Sequence, residues 1–165
     1  MPTTIKIFIG ADHAGFALKE QVKEFLKQRK VAYQDLGNAV LDTSDDYPVF
    51  SLKVAQAVAK TNNSLGILFC GSAGGACITA NKVKGIRAVS ARSAGEARLA
   101  REDDNANVIC LAGGAQVQQK VKNIGLSSIL AKSILNSWLD SSFSKATRHQ
   151  RRINQIKRIE QKNFK

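Results

Sequence analysis

A three-layer α/β sandwich with a five-stranded parallel sheet is the fold this 165-residue sequence predicts. Three observations carry that expectation. Apolar runs of strand length recur five times, a segment with apolar residues at helical spacing follows each, and the chain is as long as one ordinary domain. With 44% apolar and 23% charged residues the composition is that of a globular protein. A chain of this size buries roughly two-thirds of its unfolded surface and needs no disulfide or metal to fold.

The elements follow in order. "IKIFIGA" (5–11) reads as a buried strand, and "GFALKEQVKEFLKQRK" after it is an amphipathic helix. "VAYQDLG" is the second strand, and Gly37 opens a polar loop through "DTSDDYP". A helix follows Pro48, with Val54, Ala57 and Val58 on its inner face. "SLGILFC" (64–70) is the third strand, "GACITANKV" a short helix, "GIRAVSA" the fourth strand and "SAGEARLARED" a helix. "NVICLAG" is the fifth strand; "LSSILAKSILNSWL" and a strongly polar stretch over roughly 147–162 complete the set as helices. Right-handed crossovers turn this alternation into a doubly wound, Rossmann-like sheet. In such sheets ligands bind beyond the carboxyl ends of the strands. Both "GADHAG" and "CGSAGGA" fall on that edge. The segment "QVQQKVKNIG" (116–125) is a polar extension to which no structure is assigned.

Several classes of function are disfavoured. No window approaches the ~18 apolar residues of a membrane span, and the amino terminus lacks a basic stretch followed by a long apolar run. The expectation is a cytoplasmic protein with reduced thiols. Cys70, Cys77 and Cys110 do not form a disulfide framework, and the only histidines, His13 and His149, give no zinc spacing, so no metal is expected. Residues 145–165 hold eight of the 25 basic residues and one of the 13 acidic ones, and so contribute +7 of the net +12. Taken alone, that tail suggests a polyanion. The division expected is a Rossmann-like domain over 1–145 and a basic helical tail over 146–165.

The chemistry points to Cys70. Glycine and alanine after it let backbone N–H groups face a ligand, and a helix starting near Gly74 brings a positive dipole end. The same field favours thiolate, which makes Cys70 a candidate base or nucleophile near neutral pH. The plain alternative is a buried residue closing a strand. "GSAGGACIT" lacks the ending of a P-loop, and Gly71, Gly74 and Gly75 do not follow G-x-G-x-x-G, so a nucleotide is not indicated. Cys77 and Cys110 read as packing residues.

"GADHAG", "DYP", "LFCGSAGGACITANKVKGIRA", "NANV" and "RHQRR" occur in an order and spacing that resemble the ribose-5-phosphate isomerase B family, which is grouped with the galactose-6-phosphate isomerase subunits. The resemblance spans roughly residues 5–160. It implies an aldose–ketose isomerisation of a phosphorylated sugar through a cis-enediolate, with neither metal nor organic cofactor. The cysteine matching Cys70 is then the base. The N–H groups of Gly71 to Gly75 hold the developing oxyanion, and Ser72, where threonine is usual, passes or steadies a proton. Asp12 and His13 match a pair that binds a sugar hydroxyl and the phosphate end; a loop histidine capping a helix is the plain alternative for His13. Tyr47 matches a pocket tyrosine and Asn81 a residue near the reacting end of the sugar, against packing and helix-surface alternatives. Arg148 and Arg152, one helical turn apart with His149 beside them, match a phosphate grip carried by a helix that reaches across a homodimer. That assignment accounts for the tail better than nucleic acid does.

Three departures stand out. Where the family has a ring-opening histidine and asparagine this chain has Asp103 and Asp104, with Asn107 retained. Asp103 is a general acid only if its pKa rises by several units, which Asp104 favours and Arg101 opposes. Gln116 stands where many members have an arginine, and Ala73 replaces a loop glycine, which requires a negative φ there. The reading the resemblance implies first is interconversion of ribose 5-phosphate and ribulose 5-phosphate, with another phosphosugar of the galactose-6-phosphate type as the alternative. A homologue that binds a phosphosugar or polyanion without turnover is the third reading.

Overall fold

The structure is a computed structural model that describes residues 5–114 and 121–164. Its elements are β1 (Lys6–Ala11), α1 (Phe16–Gln28), β2 (Tyr33–Asp35), α2 (Tyr47–Lys60), β3 (Ser64–Cys70), α3 (Gly74–Ala80), β4 (Ala88–Ser90), α4 (Ala94–Glu102), β5 (Val108–Ala112), α5 (Ser128–Asp140) and α6 (Thr147–Asn163). The sheet is parallel throughout, in the order β2-β1-β3-β5-β4. The chain steps outward from β1 to β2 and then crosses back to β3, so strand order reverses between β1 and β3. A cleft opens at such a switch point. In register, Ala11 lies beside Phe69 and Cys70 beside Ala112, so the loops after β1, β3 and β5 leave the sheet side by side.

The strands are short and apolar because both faces are covered. Ile7, Ile9, Ile67, Leu68, Ile109 and Leu111 are all essentially removed from solvent. Helices α1, α4 and α5 pack together on one side, α2 and α3 on the other. The expected fourth strand contracts to three residues: before it, the Arg87 N–H and the Gly85 carbonyl are taken by the Asn107 side chain. Among the described residues no helix is long and apolar enough to cross a membrane, and no cluster of His, Cys, Asp or Glu is arranged to hold a metal ion. Gln116, with the first part of the 116–125 extension, lies outside the described residues.

Close backbone approach fixes two positions beside the switch point. A Cβ on Gly15 would stand 2.3 Å from the carbonyl carbon of Phe69, and one on Gly75 would stand 2.6 Å from the ring of Tyr47. Only glycine lets α1 begin against the end of β3 and lets α3 begin beneath the Tyr47 ring.

Ala73 corrects an expectation. It takes the left-handed conformation, φ 69° and ψ −20°, while fully buried. An alanine there carries about 1–2 kcal/mol of strain. Ala73→Gly relieves that strain but loses a buried methyl worth about 0.8 kcal/mol and loosens the unfolded chain by about 0.4–1 kcal/mol. The terms nearly cancel, so urea unfolding is expected to show a change within about 0.5 kcal/mol. Ala55→Gly, equally buried inside α2, has no strain to relieve and is expected to cost about 2 kcal/mol.

Candidate functional site

Two loops meet over the β1–β3 switch point. Asp12 follows β1, is 5% exposed, and its Oδ1 accepts from the Gly15 N–H at 2.9 Å. Its carboxyl also touches the Cys70 thiol. Burial pushes the Asp12 carboxyl up, against the Gly15 and Cys70 hydrogen bonds that hold it down. Cys70 ends β3, 6% exposed. The N–H groups of Ala76 and Ser72 point at its sulfur and favour thiolate. They do not prevail. Burial first, then the neighbouring Asp12 carboxylate, push the thiol up to about 11.

That finding corrects the expectation of a thiolate near neutral pH. A seven-residue helix offers a modest field, and one buried carboxylate in contact outweighs it. At pH 8 the thiolate fraction is about a hundredfold below that of an unperturbed thiol. The rate of iodoacetamide alkylation at Cys70 is expected to keep climbing between pH 8 and pH 10, and Asp12→Asn to move the profile to lower pH. A plateau already reached at pH 8 would contradict the geometry.

His13 is held by a residue that sequence reading missed. Asp45 Oδ1 accepts from the His13 backbone N–H at 2.9 Å and stands 2.7 Å from Nδ1, while Asp45 Oδ2 accepts from the Asn38 amide at 2.8 Å. An aspartate on Nδ1 places that ring's proton there and turns Nε2 outward. One acidic residue among several in "DTSDDYP" gave no signal, because the contact spans 32 residues. Two residues on, Tyr47 opens α2 and lays its ring on Gly75. Gly74, Gly75 and Ala76 start α3, and the first intrahelical acceptor there, Ala73 O, serves Cys77 instead. The N–H groups of Gly74 and Gly75 therefore face outward beside the thiol. Gly71 is buried and its carbonyl accepts from Gly114 N–H at 3.0 Å, while Ser72 is exposed at the rim. Asp12, His13, Tyr47, Cys70, Gly71, Ser72, Gly74 and Gly75 thus form one cluster.

The remaining candidates lie at the other edge of the sheet. Asn107 precedes β5, whose far end pairs with Cys70, so about 16 Å of strand separates the two edges. Asp103 caps the end of α4, 3.4 Å from His149 Nδ1. His149 is buried; Nδ1 also lies 2.9 Å from Ser144 Oγ, and Nε2 accepts from Arg148 Nε at 2.9 Å. Arg148 and Arg152 are exposed on α6. Two further candidates, Asn81 and Asn107, have their amides occupied by backbone groups. The Asn81 amide is spent on the backbone of Ala88, accepting at 2.8 Å and donating at 2.9 Å, and the Asn107 amide likewise clips Arg87 N–H and Gly85 O. Neither has a donor or acceptor directed at the Cys70 cleft. Arg101, expected to act on Asp103, lays its guanidinium over the Trp138 ring.

The doubly wound sheet places a buried acid–thiol pair at its switch point, beside outward-facing glycine N–H groups, where α/β proteins of this class hold their ligands. The comparisons specify the class. The family described as Ribose/Galactose Isomerase matches residues 7–156, and the chain belongs to it. A probable ribose-5-phosphate isomerase B of Mycoplasma genitalium is 41% identical over 158 residues, covering 95% of this chain and 97% of that one. Ribose-5-phosphate isomerase B of Mycobacterium tuberculosis is 38% identical over 149 residues, 90% of this chain and 86% of that one. The crystal structure of the Mycoplasma genitalium enzyme with bound ribulose-5-phosphate superposes with a TM-score of 0.85 at 39% identity, covering 96% of this chain and 97% of the other.

Proposed function

We propose that this protein interconverts ribose 5-phosphate and ribulose 5-phosphate through a cis-enediolate, with Cys70 as the base. The observation that carries the reading is the contact between Cys70 and Asp12 beneath the open N–H groups of α3. In the free protein the thiol is neutral, so its proton must leave once substrate is bound. Asp12 is the acceptor in contact, and its own raised pKa suits it to that role. The thiolate so formed is a stronger base than one with an ordinary pKa, which favours abstraction from a weakly acidic carbon. It takes the proton from the carbon beside the carbonyl and returns it to the neighbouring carbon. Charge developing on the substrate oxygen meets the N–H groups of Gly71, Gly74 and Gly75; losing one such donor costs on the order of 3 kcal/mol. Ser72, at the rim, carries a proton between the two oxygens. Asp12 also holds a sugar hydroxyl, and His13, fixed by Asp45, faces the phosphate end.

The cleft is incomplete in one chain. Arg148, His149, Arg152 and Asp103 occupy the opposite edge, too far to reach Cys70 in the same molecule. A second copy, set with its α6 across the cleft, supplies the phosphate grip and places Asp103 for ring opening. The reading is therefore a homodimer with shared sites, built from the 1–145 domain and the 146–165 tail, and acting in the cytoplasm without a cofactor. A second reading rests on Asp103 at the ring-opening position: a galactose-6-phosphate type of substrate. Ketose formation from ribose 5-phosphate by the purified protein tests the first. Silence on that sugar with turnover of galactose 6-phosphate would establish the second, and silence on both a binding role.

A further inference from the structure

Among the described residues, Arg101 is a buried cation without a counter-ion. It is 9% exposed, and its guanidinium lies 5.2 Å from the centre of the Trp138 ring. Nη1 donates to Ala106 O at 2.7 Å, while Nε is enclosed with no hydrogen-bond partner among the described residues. Burial, and then the charge of nearby Arg87, push its pKa down, and no carboxylate opposes them. Arg87 spends its donors on the carbonyls of Asp104, Asn105 and Gly85, with Glu160 close enough to favour its charge.

Arg87 and Arg101 both line a cavity of about 310 Å³ at the amino ends of β3 and β5, together with Asn62, Ser64, Asn105 and Asn107. Neither Asp103, Arg148 nor Arg152 lines it, and Ser64 stands at the opposite end of β3 from Cys70, about 20 Å away. A buried charge left unpaired is strongly destabilising, and a pocket rich in amide and hydroxyl groups beside it suits a small anion. We propose that this cavity binds an oxyanion of the phosphate class, held chiefly by Arg101 in the positive field of Arg87, at a site separate from the cysteine cleft. Its volume exceeds that of one phosphate, so free phosphate and the phosphoryl end of a sugar phosphate share the required chemistry.

The test is thermal unfolding of the full chain carrying Arg148→Gln and Arg152→Gln, which silences the grip proposed for α6. Sodium phosphate is titrated from about 1 to about 50 mM against sodium chloride of equal ionic strength. Tm is expected to rise with phosphate beyond the chloride control. Ribose 5-phosphate in a parallel arm shows whether the pocket also takes an esterified phosphate. Arg101→Met is expected to abolish the rise. Asn62→Glu, at an exposed position on the cavity lining, places a tethered carboxylate near the guanidinium and is expected to abolish it even where Arg101→Met does not fold. No rise beyond chloride, or a rise that Asn62→Glu leaves unchanged, overturns the proposal. Because the arginines of α6 are already removed, the outcome is independent of whether the chain is an isomerase.

Discussion

Cys70→Ala is expected to lower kcat for the conversion of ribose 5-phosphate to ribulose 5-phosphate by about 10³-fold, within the range that a positioned general base contributes. KM should stay within a few-fold of its parent value, since the groups proposed to hold the sugar and phosphate are untouched. The physical reason is the pairing at the switch point. Asp12 sits against the sulfur, but a carboxylate even with a raised pKa is a much weaker base than a thiolate of pKa about 11. Removing the thiol leaves the oxyanion donors in place with nothing to take the carbon-bound proton. Cys70→Ser should be as inactive, because a hydroxyl in the same pocket is harder still to ionise. The alanine variant loses one buried sulfur and is expected to stay folded, which circular dichroism checks. Retention of a tenth of the parent kcat would remove Cys70 from the base role.

Mixing two inactive variants is expected to restore activity. Arg148→Gln with Arg152→Gln removes two charge-assisted phosphate contacts, each worth about 1.5–3 kcal/mol, so kcat/KM should fall by about 10²–10⁴. In a twofold dimer whose clefts combine Cys70 of one copy with the arginines of the other, half the dimers formed from an equal mixture with Cys70→Ala are mixed. Each mixed dimer holds one site with both defects and one with neither, so roughly a quarter of parental activity should return. The separation of the two clusters by a whole strand is what demands this outcome. If no activity returned after co-refolding, the arginines would serve some purpose other than the partner's cleft.

The elements themselves were legible because their causes are local. The apolar run of β3 and the helical spacing of Leu18, Val22, Phe25 and Leu26 on α1 depend on neighbours within a few residues. The placement of the loops after β1 and β3 on one edge followed from the parallel alternation, and so did the meeting of Asp12 with Cys70. The resemblance then supplied roles that spacing does not.

Other features depend on contacts that sequence distance hides. Asp45 on His13 closes a gap of 32 residues. Ala73 takes a positive φ because the turn from β3 into α3 requires it, and nothing in "GSAGGA" distinguishes that alanine from a neighbour with a negative one. Asn81 and Asn107 look like free amides until Ala88, Arg87 and Gly85 are seen to occupy them. The charge state of Cys70 is hidden for a related reason: a helix start is visible in the sequence, whereas the depth of the thiol and the carboxylate against it are not. By itself, the sequence determined the order of elements, the edge on which Asp12 and Cys70 meet, and the family. Only the tertiary structure decided which polar groups are already spent, which way the thiol titrates, and that the two halves of the proposed site lie on opposite edges of one sheet. Periodicity reports which face of an element is buried, but the strength and sign of an electrostatic contact depend on distances that only packing sets.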